Sequence, residues 1–273
     1  MSKVRLDCLL VKRGLATSRS RAQATILAGQ VWVEGELVDK PGTKVRADAA
    51  VEVRGPGLPY VSRGGLKLEH ALRAFALDVR GWVCLDVGAS TGGFTDCLLQ
   101  HGARRVYAVD VGYGQLHPKL RSDPRVVVRE RTNARTLTPD FLPEQVDLAT
   151  VDVSFISLTL VLPPVWSLLR PPGVVVALVK PQFEAGRGQV GKGGVVRDQA
   201  VHQAVLRQLG KFGAEHGWPV VGLTPSPLRG PKGNCEFWLL MRRGEAKEPA
   251  EEIVAQVVAE AHRNLAKEAK HVA

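Results

Sequence analysis

The 273-residue chain has no C-x-x-C pair among its four cysteines, Cys8, Cys84, Cys97 and Cys235, and no histidines paired at zinc-finger spacing. The spacing therefore predicts no bound metal. A basic N-terminal segment leading into an apolar stretch is also missing, and no run approaches the ~20 apolar residues that a bilayer crossing requires. Nothing points to secretion or membrane insertion, and a reduced, cytoplasmic protein is the expectation. No internal repeat is evident. Acidic residues are in deficit, 27 against 37 lysines and arginines, for a net charge of +10 and a pI near 9.7. A surplus of this sign suits a polyanionic partner, because phosphates attract lysine and arginine surfaces through counterion release. At 45% hydrophobic residues, the chain can also fill a packed core, which sets a disordered scaffold aside.

The surplus is unevenly placed. Residues 1 to 30 carry Lys3, Arg5, Lys12, Arg13, Arg19 and Arg21 against Asp7 alone, whereas residues 31 to 60 are close to balance. Apolar residues at helical spacing from Arg5 to Leu15, ending at Gly14, predict a short helix. A second helix is predicted next, capped by Thr17 or Ser18, with Ala22, Ile26 and Leu27 inward and Gly29 closing it. The alternating stretch Val31 to Gly35 and two further strands, over 36–38 and 50–53, complete a small α+β module. Arg5-Leu6-Asp7, Ser18-Arg19-Ser20-Arg21-Ala22 and Gly29-Gln30-Val31-Trp32-Val33-Glu34-Gly35 resemble the S4 RNA-binding domain. Such a module implies recognition of structured RNA by shape and backbone, with Arg5, Lys12, Arg13, Arg19 and Arg21 as the RNA-binding side chains.

Arg54-Gly55-Pro56-Gly57-Leu58-Pro59-Tyr60 mixes flexible and stiff residues, as interdomain linkers do. The division is thus a module over 1–54, a linker over 55–61 and a second domain over 62–273. In the second domain a helix is predicted over 65–76, and strands near 82–87, 105–110, 125–129, 146–152, 173–180, 218–224 and 235–241. Strands alternating with helical segments predict a doubly wound α/β fold with a largely parallel sheet of seven strands. The tail from Pro249 to His271 reads as an amphipathic helix packed on this domain.

The stretch Val83 to Phe94 runs from an apolar strand through a glycine-rich turn into a helix, where open α/β sheets hold a cofactor or a nucleophile. Asp86-x-Gly88-x-Ser90-x-Gly92 resembles the loop that wraps S-adenosylmethionine, but Gly88-x-Ser90-x-Gly92 is also a G-x-S-x-G nucleophile elbow, with Asp152 and His202 following in hydrolase order. Position favours the cofactor, because several strands precede the elbow in hydrolases and this strand is the first of its sheet. Gly88, Gly92 and Gly93 permit close backbone approach, and Asp110, ending the next strand, stands where ribose hydroxyls are bound. Ser90 in place of a middle glycine disfavours a dinucleotide. Gly186 to Lys192 fits G-x-x-x-x-G-K, but Gly193 replaces the magnesium-binding hydroxyl, so a mobile basic lid is the better expectation.

Four ionisable residues fall at strand or helix positions facing the same sheet end: Lys67, Asp152, Lys180 and Glu236. A lysine ending a run of six apolar residues, Val174 to Val179, is expensive to bury without a reason. Ser62-Arg63-Gly64-Gly65-Leu66-Lys67-Leu68, Asp86 to Thr95, Asp152-Val153-Ser154-Phe155-Ile156-Ser157-Leu158, Val179-Lys180-Pro181-Gln182-Phe183-Glu184 and Asn234-Cys235-Glu236-Phe237 together resemble the TlyA family, which joins an S4 domain to an FtsJ-like methyltransferase domain. The resemblance implies a Rossmann-like class I methyltransferase that uses S-adenosyl-L-methionine to methylate ribose 2′-hydroxyls, typically of cytidine, in ribosomal RNA or ribosomal subunits. It implies a catalytic tetrad of Lys67, Asp152, Lys180 and Glu236. The implied cofactor set is Asp86, Gly88, Ala89, Ser90, Thr91, Gly92, Gly93, Phe94, Asp110, Val111, Asn133 and Asp152, and Arg63 joins the RNA-binding residues. Lys180 is then the base or hydroxyl-orienting group, Lys67 and Asp152 tune it, and Glu236 holds Lys67 or the ribose. The rivals are a non-catalytic ribosome assembly factor and a membrane-active haemolysin, a label some family members carry.

Overall fold

The computed structural model describes residues 3–27, 29–54 and 58–271, so Gly55, Pro56 and Gly57 of the expected linker lie outside the described residues. In chain order the N-terminal module comprises β1 (Lys3–Arg5), α1 (Leu6–Lys12), α2 (Arg19–Leu27), β2 (Val31–Val33), β3 (Glu36–Leu37), β4 (Lys44–Arg46) and β5 (Val51–Val53). Ser18 caps α2 by accepting the Arg21 backbone N–H at 3.1 Å, and Gly14 follows α1 at φ +69°, a conformation glycine adopts without Cβ strain. Glu34 and Gly35, both at positive φ, turn β2 into β3. Leu6, Leu10, Ala22, Ile26 and Val31 are fully buried in a core of their own. The pairing of β1 with β4 is an addition to the predicted strands. Each is a three-residue Lys-Val-Arg with a single inward side chain, too short to show a period.

The second domain follows with α3 (Gly64–Ala74), β6 (Val83–Val87), α4 (Gly93–Gln100), β7 (Arg105–Val109), α5 (Pro118–Arg121), β8 (Val126–Arg129), β9 (Val146–Val151), α6 (Leu158–Trp166), β10 (Leu169–Val179), α7 (Pro181–Glu184), α8 (Gln199–Glu215), β11 (Val220–Pro225), β12 (Phe237–Arg242) and α9 (Glu251–His271). Its seven strands form one sheet in the order β11-β12-β10-β9-β6-β7-β8, parallel from β10 to β8 and antiparallel at β12 and β11. The central strand β6 is buried along its whole length because both sheet faces are covered. One apolar layer lies beneath α6, α8 and α9, and the other beneath α3 and α4. On α9, Val254, Val258 and Ala261 fall on one buried face, as an amphipathic helix requires. The strand predicted from residue 173 begins at Leu169 instead. Its ladder to β9 skips from Leu169 to Val174 across Pro171 and Pro172, which have no N–H to donate.

This strand order places the chemistry. The chain leaves β6 for β7 and β8 on one side, then returns to β9 and β10 on the other, so a crevice opens where the carboxyl ends of β6 and β9 diverge.

The charge of the N-terminal module is organised around Asp7. Its fully buried carboxylate accepts hydrogen bonds from Arg5 at 2.8 Å, Arg19 at 2.9 Å and Gln23 at 2.9 Å. Arg5, followed by the other donors, holds this carboxyl well below the usual carboxylate range. A depressed folded-state value means that the stabilisation is complete above the unfolded value of about 4 and is lost as the pH falls below it. We expect Asp7→Asn to lower the unfolding free energy of the full chain by about 2 kcal/mol at pH 7. The gap between parent and variant should shrink between pH 4 and pH 2 in denaturant titrations; an unchanged gap would contradict the assignment.

Candidate active site

The crevice, about 180 Å³, is lined by the Gly88–Phe94 turn, by Lys67, Asp152, Ser154, Lys180 and Glu236, and by Asp39, Lys40 and Arg63. Each element end contributes for a local reason. The apolar run of β9 ends at Asp152, and that of β10 ends at Lys180, directly before Pro181 at the first position of α7. Lys67 lies on the inner face of α3 and Glu236 immediately precedes β12. Both lysines are withdrawn from water, Lys67 at 6% and Lys180 at 9% exposure.

The four charges form two ion pairs. Lys67 Nζ is 2.5 Å from Glu236 Oε2, and Lys180 Nζ is 2.6 Å from Asp152 Oδ1. Lys180 also donates to Ser154 Oγ at 2.9 Å. Glu236 keeps its second oxygen, Oε1, buried and without a hydrogen-bond partner.

The turn after β6 is held in an unusual backbone path, with Gly88 at φ +86°, Ser90 at φ +50° and Gly92 at φ +99°. A Cβ on Gly88 would collide with the Asp152 carbonyl oxygen, so only glycine lets this turn lie against the end of β9. Asp110 orients the turn from the neighbouring strand, accepting the backbone N–H of Ser90 at 2.8 Å and of Gly112 at 2.7 Å. Each carboxylate oxygen retains a lone pair for another donor.

A family model described as FtsJ-like methyltransferase matches residues 60–243, and an S4 domain model matches residues 4–51. The chain belongs to the FtsJ-like methyltransferase family. It is 53% identical over 269 residues to the candidate rRNA methyltransferase YqxC of Bacillus subtilis, across 96% of this chain and 95% of that protein. It is 50% identical over 241 residues to the 16S/23S rRNA (cytidine-2′-O)-methyltransferase TlyA of Mycobacterium tuberculosis, across 88% of this chain and 90% of that one. A solved structure of a candidate hemolysin from Streptococcus thermophilus superposes with a TM-score of 0.80 at 45% identity, covering 99% of each chain. Among the described residues no helix of this methyltransferase is long and apolar enough to cross a membrane.

Other residues singled out from the sequence are placed differently from one another. Gly88, Ala89, Ser90, Thr91, Gly93 and Phe94 line the crevice, and Gly92 lies under it against Leu116 and Leu120. Asp86 does not face the crevice. It is fully buried, accepts Thr95 Oγ1 at 2.7 Å and Thr150 Oγ1 at 3.3 Å, and burial pushes its carboxyl up to about 7 against those two hydrogen bonds. Asp110 lines a small pocket of its own beside Ala89, Ser90 and Gln115. Val111 is 75% exposed, and Asn133 accepts the Arg135 backbone N–H; neither lines the crevice. The Ser90, Asp152 and His202 of the elbow reading do not assemble: Ser90 faces Gln115, Asp152 pairs with Lys180, and His202 is buried on α8 against His262.

On the N-terminal module, Arg13 donates to the carbonyls of Ala49 at 2.6 Å and Ala47 at 2.7 Å, a structural role that its sequence position did not reveal. Arg5 and Arg19 are tied to Asp7, while Lys12 and Arg21 are exposed. The glycine-rich segment expected to be a mobile lid is fastened at its end by buried Asn234, which donates to Gly194 O at 3.0 Å and accepts the Val196 N–H at 3.0 Å. Two contributions were missed. Asp39 of the N-terminal module reaches the crevice and accepts the Arg63 backbone N–H at 3.0 Å, a contact with no sequence signal. Phe155, at φ +65° and 89% exposed, stands on Phe183 with ring centroids 4.9 Å apart, next to crevice-lining Ser154.

Removing one member of a buried ion pair strands the other charge, which costs about 3–5 kcal/mol, whereas replacing both by apolar residues is often neutral. Lys67→Met should therefore destabilise strongly, and Lys67→Met with Glu236→Leu should recover most of the loss in denaturant unfolding. A double variant as unstable as the single would show that the pair is not buried as described.

Proposed function

We propose that the protein transfers a methyl group from S-adenosylmethionine to a ribose 2′-hydroxyl of ribosomal RNA, with cytidine as the target nucleoside. The observation that carries this reading is the convergence of two lysine–carboxylate pairs on a crevice whose wall is the glycine turn. Identity of 50% to a protein named as a 16S/23S rRNA (cytidine-2′-O)-methyltransferase, across most of both chains, supports the substrate class. Residues 1–54 serve as the RNA-holding module and residues 62–273 as the transfer domain. A target on ribosomes supports a cytoplasmic location for the activity.

The residues fit the cofactor. The positive-φ path of Gly88, Ser90 and Gly92 keeps side chains off the inner edge of the turn, and Asp110 presents an oriented carboxylate beside it. Gly88, Ala89, Ser90, Thr91, Gly93 and Phe94 would hold the methionine side, and Asp110 the ribose. When bound, S-adenosylmethionine supplies an electrophilic methyl on a sulfonium that is a good leaving group.

The chain's own residues then have three tasks. Lys180 serves as the base or hydroxyl-orienting group for the 2′-hydroxyl, and Asp152 and Ser154 fix its position. Glu236 anchors Lys67 with one oxygen and presents Oε1 to a ribose hydroxyl. Phe155 offers a face on which an unstacked base can lie, a contact every nucleobase can make. Holding hydroxyl and methyl in line supplies much of the remaining acceleration through positioning.

Lys180→Ala should slow methyl transfer by about 100-fold or more with cofactor affinity retained. Lys180→Arg, which keeps the cation but cannot act as a base near neutral pH, should fail equally. Transfer to ribosomal RNA, followed as 2′-O-methyl product, checks both, and a rate near the parent's in a folded variant would sink the role.

For the RNA face, Lys12→Glu and Arg21→Glu avoid the Asp7 network. Each should weaken RNA binding and reduce the slope of log affinity against log salt by about 1, without altering cofactor binding. An unchanged slope would place the RNA elsewhere.

A further inference from the structure

Three side chains with metal-ligand chemistry meet away from the crevice, where α8, α9 and the approach to β12 come together. His202 on α8, Cys235 just before β12 and His262 on α9 bring their ligand atoms within 4.8 Å of one another. The His202 Nδ1 lies 3.0 Å from His262 Nε2, and the His202 ring is set edge-on to Phe237 at 5.4 Å between centroids. His202 is fully buried, Cys235 is buried and in no disulfide, and His262 is half-buried.

A histidine with no exposed surface needs a partner for each ring nitrogen. Nδ1 has His262, but Nε2 is buried without a hydrogen-bond partner. Both tautomers leave it so: with the proton on Nε2 a donor is stranded, and with the proton on Nδ1 a bare lone pair is. Burial, and then the neighbouring His262, push His202 down to about 4, and burial lowers His262 as well.

We propose that His202, Cys235 and His262 form a binding site for a zinc-class divalent cation. Two imidazoles and a thiolate suit a borderline-soft ion and not magnesium or calcium, which take oxygen ligands. The Cys235 thiol releases its proton to solvent as the sulfur–metal bond forms, and no oxidant or reductant is required. The cation clips the C-terminal helix and α8 to the residue adjoining Glu236, whose carboxylate holds Lys67. It is a structural site, independent of the proposed methyl transfer.

The test uses the full chain, stripped of metal with a chelator and titrated with Co²⁺, then with Zn²⁺ against a chelating dye. The expected result is one ion per chain, a thiolate-to-cobalt charge-transfer band, a rise in Tm with Zn²⁺ and none with Mg²⁺. Cys235→Ser should abolish the band. His262→Ala, at the half-buried edge where truncation is tolerated, should weaken zinc by more than about 100-fold, beyond what the loss of a supporting residue gives. Absence of the band in the folded parent, or zinc affinity and Tm shift unchanged in both folded variants, overturns the site.

Discussion

A lysine head group withdrawn from water has to meet a carboxylate, and at the carboxyl end of this sheet two are withdrawn side by side. Lys67 meets Glu236 and Lys180 meets Asp152, so four elements, α3, β9, β10 and the start of β12, are tied to one point. The strand order makes this feasible. With β6 central and the chain running first to β8 and then back through β9 to β10, the ends of β9 and β10 lie next to the turn that follows β6. The antiparallel insertion of β12 beside β10 brings Glu236, far along the chain, to the same end. The pairing hence serves stability and chemistry together: it makes the lysines tolerable and leaves them oriented toward an open crevice.

The N-terminal module solves a similar problem at its own scale. One buried carboxylate, Asp7, gathers Arg5, Arg19 and Gln23 and so joins its helices at a charged centre beside the apolar core. The guanidiniums remain partly exposed, 43% and 57% at the side chain, so the network orders a cationic surface without hiding it. The same module touches the second domain at Asp39 and Arg63, at the rim of the crevice. A surface suited to RNA and a crevice suited to methyl transfer are therefore adjacent.

Much of this was legible in the sequence because it is local. The apolar runs Val83–Val87, Val146–Val151 and Val174–Val179 announce strands buried on two faces, and Ser18 and Gly14 mark helix ends. Lys180 stood out because a cation closing such a run is costly to bury. Other features were not legible. The three-residue strands at Lys3 and Lys44 carry no period, Arg13 looks like any surface arginine, and Asp86 resembles a cofactor contact until its burial against Thr95 and Thr150 is seen. The tempting order of Ser90, Asp152 and His202 dissolves because each is held by a different neighbour.

The sequence by itself determined the elements, their alternation, the glycine turn and the residue types at the strand ends, since these follow from backbone sterics and from which side chains water rejects. Tertiary structure alone decided which carboxylate serves which lysine, that Asp39 borders the crevice, that Phe155 stands in solvent, and that His202, Cys235 and His262 face one another. The reason is physical. Contacts between segments far apart in the chain depend on strand order and helix docking, and no local pattern encodes them.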